Sequence, residues 1–333
     1  SGKARLCYSA ELEKVGMATA LSTTRYDMRA ATVGKYALFA GGYISKSSFG
    51  YSVSSSVDAY NTSLTKSTPT ELSCKRCGHA AASVGGYALF AGGASSHNFL
   101  GYSNLVSSVD AYDASLTRSA AHIIGATVAI GGAAVGNYAL FAGGTVYSQI
   151  NEDNVTSDVL AYDPSLTFTT APWLSVARAN VKGASAGNYA LFAGGRADGF
   201  CTTVDAYNAS LTRTTATALS STKNNSAAAT VGNHAIFVGN TASADIYDAS
   251  LTKTSAAILS TARTGLAATT VGDYAIFSGG GVADFCDASL TRSSIGTSMT
   301  GYDMGAATIG DYALFAGGHS GNTIYDSVEV YTA

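Results

Sequence analysis

One seven-residue phrase, Tyr-Ala-Leu-Phe-Ala-Gly-Gly, recurs along the whole chain. Its five intact copies lie at 36–42, 87–93, 138–144, 189–195 and 312–318. Two altered copies complete the set, His-Ala-Ile-Phe-Val-Gly-Asn at 234–240 and Tyr-Ala-Ile-Phe-Ser-Gly-Gly at 274–280. Seven copies in 333 residues indicate a repeat architecture and a single domain over 1–333.

Each copy of the phrase belongs to a repeat of four short segments. A small-residue segment such as 30–34 precedes the phrase, and a loop of variable length follows it. The loop leads to Ser-Val-Asp-Ala-Tyr, as at 56–60, and then to Ser-Leu-Thr-Lys/Arg with a Thr/Ala-rich run. The segments are rich in Val, Thr, Tyr and Phe and are bounded by Gly or Asn, which favours strands over helices.

These segments predict how the repeats pack. The Tyr-Ala-Leu-Phe-Ala strand is apolar on both faces, which is typical of a strand covered on both sides by stacked sheets. The small residues before it suit a crowded innermost position, and the Gly-Gly pair allows a close backbone approach that a Cβ would block. Successive phrases are spaced by 51, 51, 51, 45, 40 and 38 residues. The sequence therefore predicts an all-β fold, a seven-bladed β-propeller of four-stranded antiparallel blades.

The two ends of the chain complement each other. The last repeat reaches its third segment at 327–331 and has no fourth, whereas 15–22 matches the fourth segment of another repeat at 214–220. We therefore expect an N-terminal strand, within about 12–22, to close the ring by pairing into the C-terminal blade, with the blades running from about 29 to 333. Residues 6–8 and 329–331 are alternative third strands of that blade, or both pair in a five-stranded one.

The composition excludes some classes of protein. A formal net charge of −3 gives no indication of nucleic acid or an anionic membrane as a partner. The longest uncharged apolar run, 123–144, is broken by glycines and ends in the repeated phrase, so it is interpreted as two strands and a turn rather than a membrane span. Five cysteines, an odd number, do not form a disulfide framework. We expect a monomeric domain.

The order of the segments resembles the kelch repeat over essentially the whole chain. The shared markers are the double glycine and the tyrosine after it, with Cys286 at the tyrosine position of the sixth copy. The kelch tryptophan is missing: Thr169 holds its position in the third copy, and the single Trp173 lies later. The sequence of the repeats is also similar to that of Ala/Thr/Tyr-rich repeat proteins of gut Firmicutes and their prophages. The kelch resemblance implies a propeller with one face that commonly binds partners.

Four long loops follow the phrase in repeats one to four, at 43–55, 94–107, 145–157 and 196–203, and the loops then shorten. We call them the tall loops and the face that they occupy the loop face. They carry aromatic residues, which are favoured anchors in interfaces. The candidate ligand-binding residues of this set are Tyr43, Phe49, Tyr51, His97, Phe99, Tyr102 and Tyr147. The alternative is that these rings pack on each other and stiffen the loops.

Arginines form a second set of candidates. Most lie in the loops that enter the first strand of a repeat, on the same predicted face. The set is Arg25, Arg76, Arg178 and Arg263, together with Arg29 and with Arg196 on a tall loop. Guanidinium groups hold carboxylates bidentately, and the kelch resemblance implies that arginines here grip acidic ligands. The alternative is that they pair with loop aspartates or with backbone carbonyls.

The sequence carries one metal-like phrase, Cys74-Lys75-Arg76-Cys77-Gly78-His79. Zinc, a loop disulfide and plain thiols are its three interpretations, and without a second Cys-x-x-Cys we expect neither metal nor cofactor. Asp58, Asp110 and Asp205 recur once per blade, which favours a structural role such as bonding a neighbouring backbone turn. No catalytic residues are predicted.

These observations predict a non-enzymatic recognition module that binds a protein or a surface carbohydrate through its tall loops. An adhesion protein of a bacterium or its phage, at the extracellular or virion surface, fits this prediction. Two alternatives remain open at this stage. One is an enzyme or metal site at the mouth of the central channel, which clustered carboxylates there would favour. The other is a structural spacer in a larger assembly.

Overall fold

The computed structural model describes residues 12–47, 50–98, 101–122, 124–146, 154–223, 227–297 and 299–333. Within these ranges every regular element is a β-strand. In chain order the strands are β1 (Glu13–Ala18), β2 (Arg29–Val33), β3 (Tyr36–Ala40), β4 (Tyr43–Ser47), β5 (Gly50–Val53), β6 (Val57–Asn61), β7 (Lys66–Ser67), β8 (Ala80–Val84), β9 (Tyr87–Ala91), β10 (Ala94–Asn98), β11 (Gly101–Leu105), β12 (Val109–Asp113), β13 (Arg118–Ala121), β14 (Gly131–Val135), β15 (Tyr138–Ala142), β16 (Val159–Tyr162) and β17 (Phe168–Ala171). They continue with β18 (Lys182–Ala186), β19 (Tyr189–Ala193), β20 (Val204–Asn208), β21 (Arg213–Ala216), β22 (Ala227–Val231), β23 (His234–Val238), β24 (Ser243–Tyr247), β25 (Lys253–Ala257), β26 (Ala267–Val271), β27 (Tyr274–Gly279), β28 (Val282–Asp287), β29 (Arg292–Gly296), β30 (Gly305–Ile309), β31 (Tyr312–Ala316), β32 (His319–Ser320), β33 (Thr323–Ile324) and β34 (Val328–Thr332).

Seven four-stranded antiparallel sheets follow the seven sequence repeats, and we number them blades 1 to 7. Blade 1 is β2-β3-β6-β7, blade 2 is β8-β9-β12-β13, and blades 3 to 6 take four consecutive strands each from β14 to β29. The first strands of successive blades pack beside each other, and β30 of blade 7 packs beside β2 of blade 1. The small side chains predicted for the innermost strand therefore surround a central channel.

Blade 7 combines both ends of the chain, in the order β1-β34-β31-β30. The pairing of β1 with β34 runs from Glu13 opposite Thr332 to Ala18 opposite Val328. This confirms that the N-terminal strand pairs into the C-terminal blade. The third strand is β34, which contains 329–331, whereas 6–8 lie outside the described residues. The strand is shorter than the predicted 12–22, since Leu21 already donates its N–H to the Asp326 carbonyl in the connection to blade 1.

An eighth four-stranded sheet lies outside the repeats and was not predicted. The tall loops of blades 1 and 2 fold into the hairpins β4–β5 and β10–β11, which join edge to edge in the order β11-β10-β5-β4. We call it the loop sheet. Its two halves meet where Tyr51 pairs with His97. Neighbouring blades hold the two hairpins side by side, so the unpaired backbone groups of one satisfy those of the other.

In several blades, a tyrosine of the third strand forms a hydrogen bond to the preceding blade. In blade 2, Tyr112 is buried and packs edge to face against Phe90 of the repeated phrase, with ring centroids 5.9 Å apart. Its hydroxyl donates a 2.8 Å hydrogen bond to the carbonyl of Thr70, which follows the outer strand of blade 1. Tyr60 of blade 1 bonds Thr19 in the same way and so links blade 1 to the closing strand. The phrase is thus uniform because its phenylalanine packs against this tyrosine.

A buried aspartate organises the loop that enters the first strand in five blades. In blade 2, Asp110 accepts hydrogen bonds from Arg76 at 2.6 Å, from Arg118 at 2.9 Å and from the backbone N–H of Ser73 at 3.1 Å. The aspartates of the set are Asp58, Asp110, Asp205, Asp245 and Asp284. The prediction that the recurring aspartate bonds a neighbouring turn is therefore confirmed, and its partner is the cation of the entering loop.

His79 is a buried imidazole in a position that is apolar in five of the other six blades. Its side chain has no exposed surface, and neither ring nitrogen makes a well-formed hydrogen bond, the Ala40 backbone offering only a weak contact. Burial, with the charges of Arg29 and Arg76, lowers the pKa of His79 well below its usual value. Equivalent positions in other blades hold Met28, Ile130, Val181, Leu266 and Met304.

We expect His79→Met to raise the free energy of unfolding by about 1 to 3 kcal/mol at neutral pH, because it removes two unsatisfied buried nitrogens. The lowered pKa means that the unfolded chain binds a proton that the folded chain excludes. The stability of the wild type therefore falls as the pH drops below about 6.5, and the advantage of the variant grows towards about pH 5. Urea unfolding at both pH values tests this. The reciprocal Met28→His should destabilise, and a destabilised His79→Met would contradict the expectation.

Candidate functional site

The central channel opens on the loop face into a cavity of about 460 Å³. Four groups of residues line it: the last residues of the loops that enter the first strands, one face of the loop sheet, two cations at the start of first strands, and the β32–β33 hairpin of blade 7. Blades 1, 2, 4, 6 and 7 all contribute. The cavity therefore belongs to the ring as a whole rather than to one repeat.

The residues that enter the first strands form a collar around the channel mouth. They adopt left-handed backbone conformations with φ between 52° and 67°. The collar consists of Asp27, Gly78, Ala129, Asn180, Gly265 and Asp303. Four backbone hydrogen bonds link neighbours in the collar, for example from Asp27 N–H to the Asp303 carbonyl at 2.6 Å and from Asn180 N–H to the Ala129 carbonyl at 2.7 Å. Gly, Asn and Asp tolerate this conformation best, which explains most of the residue types at the collar.

The loop sheet presents at least one residue from each of its four strands to the cavity. Lys46 lies opposite Tyr51, Tyr51 opposite His97, and His97 opposite Tyr102, so these side chains share one face of the sheet. We call Tyr51, His97 and Tyr102 the aromatic row, and Lys46 lies next to Tyr51 on the same face. The His97 ring stacks on Tyr51 at 4.6 Å and on Tyr102 at 4.3 Å. Burial lowers the pKa of His97, which keeps the imidazole neutral at neutral pH.

Two more tyrosines extend the aromatic row into a continuous wall. Tyr43 bonds the Nδ1 of His97 through its hydroxyl at 2.6 Å, and its ring lies 5.0 Å from Tyr26. The Tyr26 ring in turn lies 4.5 Å from His319 of blade 7. The rings hold each other in place, so the wall is formed before any ligand arrives.

Charged side chains face this wall. Asp27 and Asp303 are neighbours in the collar, and Arg29 contacts Asp27 at 2.7 Å. His319 bonds Asp303 through Nε2 at 3.2 Å. Burial and the nearby Asp27 carboxylate raise the pKa of Asp303, against the opposing effect of His319. The mouth thus holds two neighbouring carboxyl groups in different environments, one paired with a guanidinium and one with an imidazole.

Below the collar the channel has little chemistry. Arg29 and Lys182 are the first residues of β2 and β18 and line both the mouth and the upper channel. Beyond them lies a part of the channel of about 410 Å³ that is lined by Ala, Gly, Ser and Thr, with Thr32 and Thr308 as examples. Groups able to bind a polar ligand are therefore concentrated at the mouth on the loop face.

The structure brings together four of the seven loop aromatics predicted from sequence. Tyr43, Tyr51, His97 and Tyr102 all line the cavity. They also pack on each other, so the self-packing alternative describes their mutual contacts, and both interpretations apply to the same rings. The remaining three predicted aromatics, Phe49, Phe99 and Tyr147, lie outside the described residues.

The predicted arginine ring at the mouth is not what the structure shows. The side chains of Arg25, Arg76 and Arg178 have no exposed surface and pair with Asp58, Asp110 and Asp205. Each guanidinium also donates to backbone carbonyls, as Arg178 does to Gly194 and Phe192. These arginines form ion pairs with the aspartates of their own blades, which agrees with the alternative interpretation.

The other two predicted arginines lie apart from the cavity as well. Arg263 is nearly buried, pairs with Asp284 and donates to the carbonyls of Gly279 and Val282. Arg196 is exposed on blade 4, where its guanidinium lies 5.9 Å from the Phe200 ring centroid. Only Arg29, named with the second set, reaches the channel mouth.

The Cys-x-x-Cys phrase holds free thiols in the structure. Cys74 and Cys77 are both unpaired, and the Cys77 thiol donates to the Ala94 carbonyl at 3.4 Å. Burial raises the pKa of Cys77 to about 12. The His79 side chain is fully buried, and neither of its ring nitrogens bonds a thiol. Among the described residues no three or more His, Cys, Asp or Glu side chains group as metal ligands.

Neither the collar nor Lys182 was identified from the sequence as part of the site. The signal was present in the comparison of repeats. The first-strand position that is Arg29 in blade 1 and Lys182 in blade 4 is Ala or Gly in the other blades. A charge among small residues next to a channel marks a departure from the packing requirement. Likewise, Asp and Asn stand in the collar where other blades have Gly or Ala.

The chain matches no known protein-family model, and no curated protein matches it. Its architecture, an all-β repeat protein of the β-propeller type, therefore stands on the sheets and their order. No helix in the described part of the chain is long and apolar enough to cross a membrane.

Proposed function

We propose that this protein is a binding module and that its ligand is a carbohydrate held in the cavity at the channel mouth. The observation that carries the proposal is the pre-stacked aromatic row facing carboxyl groups across a cavity of about 460 Å³. Ligand sites are typically concave, with a few converging polar groups on an apolar lining, and volumes of roughly 300 to 1,000 Å³ are common.

The chemistry of the walls suits a sugar. A sugar ring has an apolar face of C–H groups and a rim of hydroxyls. The rings of Tyr51 and Tyr102 offer amphipathic surfaces for the first. The side chains of Asp27, Asn180 and Asp303 offer acceptors, and Asn180 a donor as well, for the second. The mutual stacking of the rings lowers the entropy that binding would otherwise cost.

Truncation of the aromatic row tests the proposal. We expect Tyr51→Ala and Tyr102→Ala each to weaken binding of a glycan selected on an array by about tenfold or more, since each removes a stacking surface. Isothermal titration calorimetry measures the loss. Arg196→Ala is the matched control, because Arg196 is exposed on the same face and does not line the cavity. Equal affinities of wild type and both tyrosine variants would refute the proposed site.

A second candidate function is supported by the two carboxyl groups. Burial raises the pKa of Asp303, and Asp27 is paired with Arg29, so the two carboxyl groups lie in different electrostatic environments. Such a pair is the arrangement that glycoside hydrolysis uses, with one group as the acid and the other as base or nucleophile. In that case Asp303→Asn would abolish cleavage of the selected glycan while leaving it bound. A wild type that binds the glycan and leaves it intact would support a module without enzymatic activity.

The resemblance of the repeats to the kelch repeat supports a wider proposal about the biological role of the protein. A module of this kind suits a recognition or adhesion protein of a bacterium or its phage, working at the extracellular or virion surface. A purely structural spacer would not need a preformed polar cavity, and it would bind no glycan on the array. The array result therefore separates these two roles as well.

A further inference from the structure

Lys182 is a cation in the channel that contacts no anion among the residues that the structure describes. It begins β18 and lines both the mouth cavity and the upper channel. Within the part of the chain that the structure describes, its ammonium makes neither a hydrogen bond nor an ion pair. Burial, and then the positive charge of Arg29, lower its pKa. A half-buried ammonium close to another cation is destabilised unless an anion compensates its charge.

The surrounding charges leave Lys182 as the group that needs an anion. Arg29 is already held by Asp27 at 2.7 Å, and Asp303 is held by His319 at 3.2 Å. Asp27 and Asp303 attract Lys182 from a distance, but neither contacts it. Packing does not require a lysine here, because the same position is Ala227 in blade 5 and Ala267 in blade 6.

We propose that Lys182, together with Arg29, forms an anion subsite at the floor of the cavity, and that the ligand is an acidic sugar whose carboxylate reaches it. This inference rests on the proposed carbohydrate site and adds the class of sugar. The sugar ring lies against the aromatic row, its hydroxyls face Asp27, Asn180 and Asp303, and its carboxylate points down the channel to the ammonium. Both cations begin first strands, at a position that is Ala or Gly in the other five blades.

Lysine NMR tests the subsite without knowledge of the full ligand. The protein is labelled at the lysine ε-carbon, and Lys182 is assigned from the signal lost in Lys182→Ala, a substitution that copies blades 5 and 6. The pKa of Lys182 is then measured in sodium acetate and in sodium chloride of equal ionic strength. We expect acetate to raise the pKa by about 1, since a carboxylate beside the ammonium favours the charged form. The same pKa in both salts would overturn the subsite.

Two sugars then separate this inference from the proposed function. Glucuronate should raise the pKa of Lys182 at a concentration about tenfold lower than acetate, because it combines the carboxylate with a sugar ring that contacts the aromatic row. Glucose should leave the pKa unchanged, because it has the ring but no carboxylate. An acetate effect without any gain for glucuronate would keep the anion subsite and remove the carbohydrate proposal. Binding of glucose or glucuronate at the aromatic row with no change at Lys182 would keep the carbohydrate site and overturn the subsite.

Discussion

Replacing Asp110 by Asn will lower the free energy of unfolding by about 3 to 5 kcal/mol, because it leaves the buried Arg76 guanidinium without a counter-charge. Asp110 is 1% exposed and contacts Arg76 at 2.6 Å, so water cannot take over its role. Urea unfolding followed by tryptophan fluorescence or circular dichroism measures the loss. A loss below about 1 kcal/mol would contradict the structural role assigned to this aspartate.

Blade 3 shows how the same site is built without charge. There Leu160 takes the place of the aspartate, and Thr127 takes the place of the arginine. Four substitutions copy the blade 3 side chains into blade 2, whose entering loop is one residue longer: Ser73→Gly, Arg76→Thr, Asp110→Leu and Arg118→Phe. We expect the combined variant to recover most of the stability that Asp110→Asn loses, since a well-packed apolar set can replace a buried ion pair. Losses that simply add across the four changes would show that the residues do not act as one unit.

Gly143→Ala will destabilise the protein by about 3 kcal/mol, because a Cβ at this first glycine of the pair has no room. Its φ is +67°, and the added carbon would lie 2.2 Å from the carbonyl oxygen of Arg178 in the next blade. That oxygen is held by the N–H of Gly144 at 3.0 Å, so it does not move aside freely. Thermal and urea unfolding of the variant measure the effect.

Gly86→Ala is the matched control for this prediction. Gly86 lies in the exposed turn before the repeated phrase of blade 2, has no positive φ, and a Cβ there meets nothing within 4 Å. Other blades have Lys35 or Asn137 at the same place. The control should change stability by less than about 0.5 kcal/mol. Equal losses in both variants would mean that the glycine pair is not required for the close approach of neighbouring blades.

The blades could be predicted from sequence because every repeat solves the same packing problem. The phrase at β9, for example, is buried on both faces, and the tyrosine of β12 seals it against the preceding blade. The pairing of β1 with β34 could also be predicted, since the ends of the chain supply complementary segments. The loop sheet could not, because it depends on two hairpins meeting across neighbouring blades, and no local pattern in either tall loop encodes that meeting.

The candidate site was predictable only in part. Tyr51 and Tyr102 were found because aromatics on long loops are unusual. The arginines were misplaced because a sequence shows a cation in a loop but does not show that Asp110 or its equivalents already bind it. Asp303 and Lys182 were missed because charged residues occur at each of these repeated positions in only two blades, Asp27 and Asp303 in the collar and Arg29 and Lys182 in the first strands. Their meaning depends on the channel that all the blades form together.

The most direct test of the central claim is to map where a glycan contacts the protein. Backbone and methyl NMR, or a crystal soaked with the glycan that the array selects, gives this location. The proposed site predicts that the affected residues are Tyr51, His97, Tyr102, Asn180 and Asp303, around the channel mouth on the loop face. Contacts confined to the opposite end of the channel, near Thr32 and Thr308, or to the outer strands such as β13, would contradict it.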